Sequence, residues 1–463
     1  MDLGLILFST KSLPFMKNPN KSGLKQILSS FELQRKPFIV NESNLASLFA
    51  RLGNKALFIF LLSSVLYLSS CDKEDSAPPI NNDPEPTGSI LIKIKTTGKD
   101  SDPEGYTVHI EGSDARQVDA NGEINISNKR PGNYSIELRG IANHCSGNGS
   151  MVKEATVSAD GITTVEFEVD CKAILRDRLV YSKGLNNFTE FKIHSSNLDG
   201  SDEKLIYDKV IAFPSTVRIS PDGTKISFND RLDGNNTIQI FVMDADGENV
   251  TAIPHEGADN TAMANQFNSV WHPDSKKITF RNGFRNVTYE LESGQRTLIE
   301  FEEGEMFSVQ EVIDNGTKFL GIYIKNTPGS PVVHQLAISN ADGTGMTILK
   351  EEPNLVFISA KMLDENTLVY IQRINASGFF NEVRKINIDG SNDQNIQNQL
   401  GFAESDRLQS FTISPNKTDL LFYFGRNVNF FFGKTKLNGS VELLTYTGNN
   451  VRVSPDWSQV TRK

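Results

Sequence analysis

The sequence predicts an all-β chain, a small β-sandwich followed by a six-bladed β-propeller closed by the C-terminal strand. Three observations carry this. Between residues 88 and 172, short runs alternate apolar and polar at period two, separated by turn clusters. From residue 176 onward, one family of turns recurs at intervals of 47–49 residues and a second family interleaves with it. The last stretch of the chain reads as the first strand of a further unit, and the first unit lacks that strand.

Residues 1–50 show scattered charge and no sustained period, and are expected to precede the true translation start, which would lie just before Arg51. Residues 51–70 read as an export signal: Arg51 and Lys55 precede an apolar core from Ala56 to Leu68. As a helix that core spans about 20 Å, short of the ~30 Å hydrocarbon layer. Leu68-Ser69-Ser70-Cys71 then resembles the lipobox of bacterial lipoproteins. The resemblance implies that Cys71 becomes the N-terminus, carries a thioether-linked diacylglycerol and tethers the chain to a membrane. The alternative is a short buried helix ending in a core cysteine. Asp72-Lys73-Glu74-Asp75 resembles the surface-export signal of some Gram-negative lipoproteins; an ordinary solvated tether is the alternative reading. Asp75-Ser76-Ala77 resembles an O-glycosylation site of the same envelopes. The expected location is the outer membrane of a Gram-negative bacterium, surface-exposed if the acidic cluster acts as that signal. Residues 71–87 are rich in Pro, Asp and Asn and read as a linker.

The whole chain carries a formal net charge of −10. Up to residue 70 there are eight Lys/Arg and three Asp/Glu, so the remainder carries −15. Such a surface repels nucleic acid and anionic lipid, which require clustered basic charge. With Cys71 given to lipid, Cys145 and Cys171 are left, and in an oxidising envelope two cysteines most simply pair.

Residues 88–172 contain "SILIKIKTT", "YTVHIEG", "EINISN", "NYSIELRG", "MVKEATVS" and "TTVEFEVD", with turns at Pro103-Glu104-Gly105, Asn121-Gly122 and Pro131-Gly132-Asn133. Six or seven strands are expected, with Cys145 in a loop and Cys171 ending the last strand. "TTGKDSDPEGY", "RPGNYSIELRG" and "VEFEVDC" resemble a prealbumin-like or carboxypeptidase-regulatory-like sandwich. Asp100, Asp102 and Glu104 lack the full run of calcium ligands and read as a plain turn.

The repeat spans residues 176–463. One turn family ends on Gly200, Gly247, Gly294, Gly343, Gly390 and Gly439. Each is expected to be a two-residue hairpin with a primed turn, glycine supplying positive φ. The other family lies at Pro221-Asp222-Gly223, Pro273-Asp274-Ser275, Asp314-Asn315-Gly316, Asp364-Glu365-Asn366, Pro415-Asn416-Lys417 and Pro455-Asp456-Trp457. Each unit then holds four antiparallel strands, the content of a propeller blade. The first unit opens at Asp177–Gly184, and Val451–Val460 is expected to return to it and close the ring. "SPDGTKISF" followed by "IQIFVMDADGENVTAI" resembles the TolB-type, WD-like repeat, over about 285 residues.

No catalytic set is visible. The six histidines show no helical i, i+4 pair and no zinc spacing with cysteine; a propeller lyase that gathers metal-binding histidines from separate blades stays open. His272 takes the place of Ser220 or Ser454 in the repeat. Serine peptidases with such propellers need a Gly-x-Ser-x-Gly turn, and the chain contains none. Asp244 and Asp246 read as turn residues, and "NFFFGK" (Asn429–Lys434) as blade packing. Phe379 and Phe380, in "NASGFFNE", are the candidate binding patch. The resulting expectation is a non-enzymatic, lipid-anchored binding scaffold with no metal or cofactor, a protein or glycan partner and no nucleic acid. The alternatives are an envelope glycan- or peptide-processing enzyme, or a TolB-like periplasmic envelope-integrity factor.

Overall fold

A computed structural model describes residues 85–112, 115–185, 190–211, 215–231, 237–254, 265–374, 381–427, 429–444 and 452–460. These residues are all-β, in eight four-stranded sheets. Cys71, Phe379, Phe380 and His255 lie outside the described residues, as do the export signal and almost all of the linker.

The first eight strands are β1 (Gly88–Gly98), β2 (Tyr106–Ile110), β3 (Arg116–Val118), β4 (Glu123–Lys129), β5 (Gly132–Arg139), β6 (Cys145–Asn148), β7 (Val152–Val157) and β8 (Ile162–Cys171). They form two sheets, β4-β1-β8-β6 and β3-β2-β5-β7. Alternation explains both: Ile90, Ile92 and Ile94 of β1, and Val165, Phe167 and Val169 of β8, point one way into a core shared with Val108, Ile136 and Leu138 of the other sheet. Two strands escape the sequence reading. Cys145 sits not in a loop but on β6, directly opposite Cys171 and joined to it by a disulfide. The run Cys145–Asn148 has no alternating pattern; it is a strand because the edge of β8 templates it. Asp100 and Asp102 serve the backbone: Asp100 Oδ2 accepts from Ile174 N–H (2.8 Å), and Asp102 from Glu104 and Ala142 N–H (3.1 and 3.0 Å).

Six sheets follow, each one blade with strands running from the inside out. Blade 2 is Arg218–Ile219, Lys225–Arg231, Ile238–Asp244 and Thr251–Ala252. Blade 3 is Gln266–Trp271, Lys277–Asn282, Arg285–Glu290 and Arg296–Ile299. Blade 4 is Glu305–Ile313, Lys318–Lys325, Val333–Asn340 and Thr347–Glu351. Blade 5 is Leu355–Met362, Thr367–Ile374, Asn381–Asn387 and Gln394–Asn395. Blade 6 is Arg407–Ile413, Leu420–Arg426, Asn429–Thr435 and Glu442–Leu443. Blade 1 is completed from the far end of the chain: Arg452–Trp457 pairs as its inner strand with Arg178–Leu185, followed by Glu190–Asn197 and Lys204–Ile211. Each inner strand touches the inner strand of the next blade, and blade 1 touches both blade 6 and blade 2, so the ring is closed.

Two local readings are corrected. The glycine-ended hairpins are not two-residue primed turns. Gly247 N–H bonds Asp244 O (2.9 Å), and the two central residues keep negative φ while Gly247 takes φ +87. A normal turn followed by a left-handed glycine matches strand twist equally well, and the aspartate fixes it: Asp246 Oδ1 accepts from Glu248 N–H at 3.1 Å. Second, Pro455-Asp456-Trp457 is not a turn. Ile219 pairs with Ile226, Trp271 with Ile278, Ile413 with Leu420 and Trp457 with Leu179. In the same four units, the N–H of Ser220, His272, Ser414 and Ser458 bonds the carbonyl of Lys225, Lys277, Asp419 and Arg178. The turn residue of the last unit is therefore Ser458, four positions later than read, and Pro455-Asp456 lies inside the closing strand.

Candidate functional site

The corrected register brings six equivalent positions to one level of the central channel. In ring order from blade 2 they are Arg218, Val270, Glu311, Lys361, Thr412 and Asp456, and all six line one cavity of about 390 Å³. Their partners across the blade are Ser227, Thr279, Leu320, Val369, Leu421 and Val180. The charge sequence is cation, neutral, anion, and then the same again. The propeller thus carries a pseudo-twofold charge pattern at its axis. Lys417 adds a further cation to the mouth, and both tryptophans of the chain, Trp271 and Trp457, line it.

The two carboxylates do the same structural task half a ring apart. Glu311 Oε2 accepts from Met362 N–H in the next blade (2.6 Å), and Asp456 Oδ2 from Ile219 N–H in the next blade (2.8 Å). Among the described residues the cations donate to carbonyls: Arg218 to Val217 O (2.9 Å), Lys361 to Gln310 O (3.0 Å) and Lys417 to Met362 O (3.2 Å). Among the described residues none of the three makes a salt bridge, so their remaining donors are available to the channel. Burial holds the Lys361 ammonium below its ordinary pKa; the attraction of Glu311 and Asp456 opposes this, and Arg218 and Lys417 add to it.

Inward of the ring lies a second cavity of about 310 Å³, which Arg218 also lines together with Arg281 and His334. Three of the other described histidines are tied into the surrounding structure. His272 Nε2 meets Thr279 Oγ1 at 2.8 Å and takes the place of Ser220, Ser414 and Ser458 rather than Ser454. His194 stacks on Tyr181. His144 lies beside Cys145 and Cys171, but their sulfurs are bonded to each other, so this group offers no thiolate. Of "NFFFGK", Phe432 packs in the blade against Tyr181 and Tyr423, while Phe430 is partly exposed.

The ring was hidden from the sequence because its members share no residue type. Five of the six sit one residue before the last inner-strand residue, as in "VRIS", "VWH", "AKM" and "FTIS", and Glu311 sits two before it. Stacking the units in register and comparing that column is the signal that finds it.

No family profile matches the chain, and no curated protein matches it. Solved structures do. TolB from Acinetobacter baumannii is 15% identical over 62% of this chain and 68% of its own, with a TM-score of 0.45. An oligogalacturonate lyase from Vibrio parahaemolyticus is 12% identical over 58% of this chain and 75% of its own, with a TM-score of 0.37. Prolyl oligopeptidase B from Galerina marginata is 12% identical over 58% of this chain and 44% of its own, with a TM-score of 0.37. These neighbours are TolB-like propeller proteins, and the likeness is one of fold. The expectation of a non-enzymatic chain is corrected here: enzymes with propeller domains stand among the neighbours. At such identity the likeness does not make this chain an enzyme either.

Proposed function

We propose that the protein is a membrane-tethered binding propeller of the cell envelope, anchored through Cys71, whose channel receives the acidic part of a glycan or protein ligand. The observation that carries this is the set of channel cations without carboxylate partners, in a chain whose net charge is −10. An acidic exterior repels long polyanions, while a local positive channel attracts a single anionic tip on a neutral body. The mouth reports on itself, since the only two tryptophans line it. Titrating the mature chain with neutral and singly acidic oligosaccharides and peptides should change tryptophan emission for acidic members only. Arg218→Met with Lys417→Met should remove the response; an unchanged response, or equal response to neutral members, would sink the reading.

A second reading, processing of the ligand, has one observation in its favour: Lys361 sits among Glu311, Arg218 and Asp456 with its pKa held down by burial. Mass spectrometry of the same ligands after incubation separates processing from binding.

A further inference from the structure

The cavity inward of the charged ring has features of a built site. Its wall lies where the inner strands bulge. Pairing slips between Phe267 and Val270, Val309 and Glu311, Phe357 and Ser359, Leu408 and Ser410, and Val453 and Asp456. Five blades therefore break their ladder at one level of the channel. Bulges re-aim side chains and concentrate beside functional sites. Two of the bulge residues, Asn268 and Ser454, take φ of +54 and +51, a region that residues with a side chain rarely adopt. Both line the cavity.

The charge inside is one-sided. Arg218, Arg281 and His334 line the cavity, and among the described residues no Asp or Glu does. Arg281 Nε and His334 Nδ1 are buried atoms without a hydrogen-bond partner. Arg281 lies over the Phe267 ring at 5.4 Å, and its Nη1 donates to the Met306 sulfur (3.1 Å). Burial lowers the pKa of both Arg281 and His334, as expected of donors that have given up water and gained no anion. Hydroxyls and amides make up the rest of the polar wall, among them Ser308, Gln310 and Ser410.

We propose that this chamber binds the carboxylate of a small polar unit, with Arg281 and Arg218 facing the charge and the serine and amide groups bonding the remainder. The volume, about 310 Å³, is at the lower end for ligand pockets (roughly 300–1,000 Å³), which fits one sugar-acid or amino-acid residue rather than a longer segment. The proposal rests on the reading of the channel as a binding route, and it assigns the innermost subsite.

The test is calorimetric titration of the full mature chain with two matched pairs: D-glucuronate against D-glucose, and N-acetylglycine against its amide. At least one acid should bind, and its neutral partner should bind roughly ten- to a hundredfold more weakly. The pair that discriminates identifies the ligand as sugar acid or peptide terminus. Arg281→Gln should lose the acid by a similar factor, while Lys436→Gln, in an exposed turn of blade 6 that lines neither cavity, should leave it within about twofold. If Arg281→Gln does not fold, Ser410→Asp, which adds a like charge to the ligand inside the chamber, must abolish binding. Equal binding of acid and neutral probes, or binding that survives these variants, overturns the proposal. A tryptophan response at the mouth to larger ligands, with no binding of either acid, overturns the chamber while leaving the channel reading intact.

Discussion

Glu203 shows how much one side chain does here. Its carboxylate accepts from Tyr181 OH (2.5 Å), Lys183 Nζ (2.6 Å) and Arg452 Nε (3.0 Å). Arg452 belongs to the closing strand, so this one acid joins the two ends of the propeller. Burial alone would raise its pKa, but hydrogen bonds from Lys183 and Tyr181 and the charge of Arg452 outweigh burial and depress it to about 2. Blade 5 repeats the arrangement: Asp393, three residues after Gly390 as Glu203 is after Gly200, accepts from Tyr370 OH (2.7 Å), Arg384 (2.9 Å) and Lys350 (2.6 Å). Because the folded pKa of Glu203 lies below its ordinary 4.5, its contribution is fully present above that value and is lost as pH falls toward 2. Glu203→Gln should cost about 1.5–3 kcal/mol at neutral pH. Chemical denaturation from pH 6 down to about 2.5 should show the difference between wild type and variant shrinking; a difference independent of pH would refute this account.

At the scale of the element, the repeat was legible because blade turns demand glycine. The reason differs from turn to turn, and only the structure shows it. A Cβ on Gly247 would lie 1.9 Å from Ile206 O in the neighbouring blade, at φ +87. A Cβ on Gly294 would meet nothing nearer than the Tyr289 hydroxyl at 3.6 Å, at φ +71. Gly294→Ala therefore carries only the left-handed strain, about 1–2 kcal/mol. Gly247→Ala adds a backbone clash between blades and should cost roughly 1–3 kcal/mol more. Thermal melts of the two variants check this, and equal losses would show that the blade contact yields. The same contrast explains what the sequence withheld. Period and glycine spacing mark where strands and turns fall, but the bulges that set the channel register leave no residue signature. Ser-Pro-Asp in the last unit imitated the turn of blade 2, and only strand pairing revealed that Trp457 and Ser458 hold that place. Arg281 and His334 were invisible as a pair for a related reason: they belong to different blades, and nothing local links them.

For the whole molecule, closure is the step on which the rest depends. Without Arg452–Trp457 the inner edge of blade 1 is bare, Ile219 N–H loses Asp456, and Glu203 loses Arg452. The same stretch is also stitched to the lead-in of the propeller: Ser458 Oγ bonds Leu175 O (2.6 Å), and Asp177 N–H bonds Val460 O (2.9 Å). The lead-in in turn bonds both ways, through Ile174 N–H to Asp100 of the first eight strands and through Leu175 N–H to Gly223 O of blade 2. A sheet edge exposed at the axis is costly because its N–H and C=O groups have no partner. The charged ring would lose Asp456, leaving its cations in excess. Truncation after residue 450 should therefore abolish one cooperative unfolding transition and replace it with a broad one at lower denaturant. A synthetic peptide of residues 451–463, added in trans, should restore the sharp transition, and with it the tryptophan response of the channel. The same peptide carrying Arg452→Ala and Asp456→Ala should restore neither, since it still offers the backbone edge but lacks both clamps. If the truncated chain unfolds as sharply as the full chain, the ring is held by blade-to-blade packing alone, and the closing strand is a passenger rather than the lock.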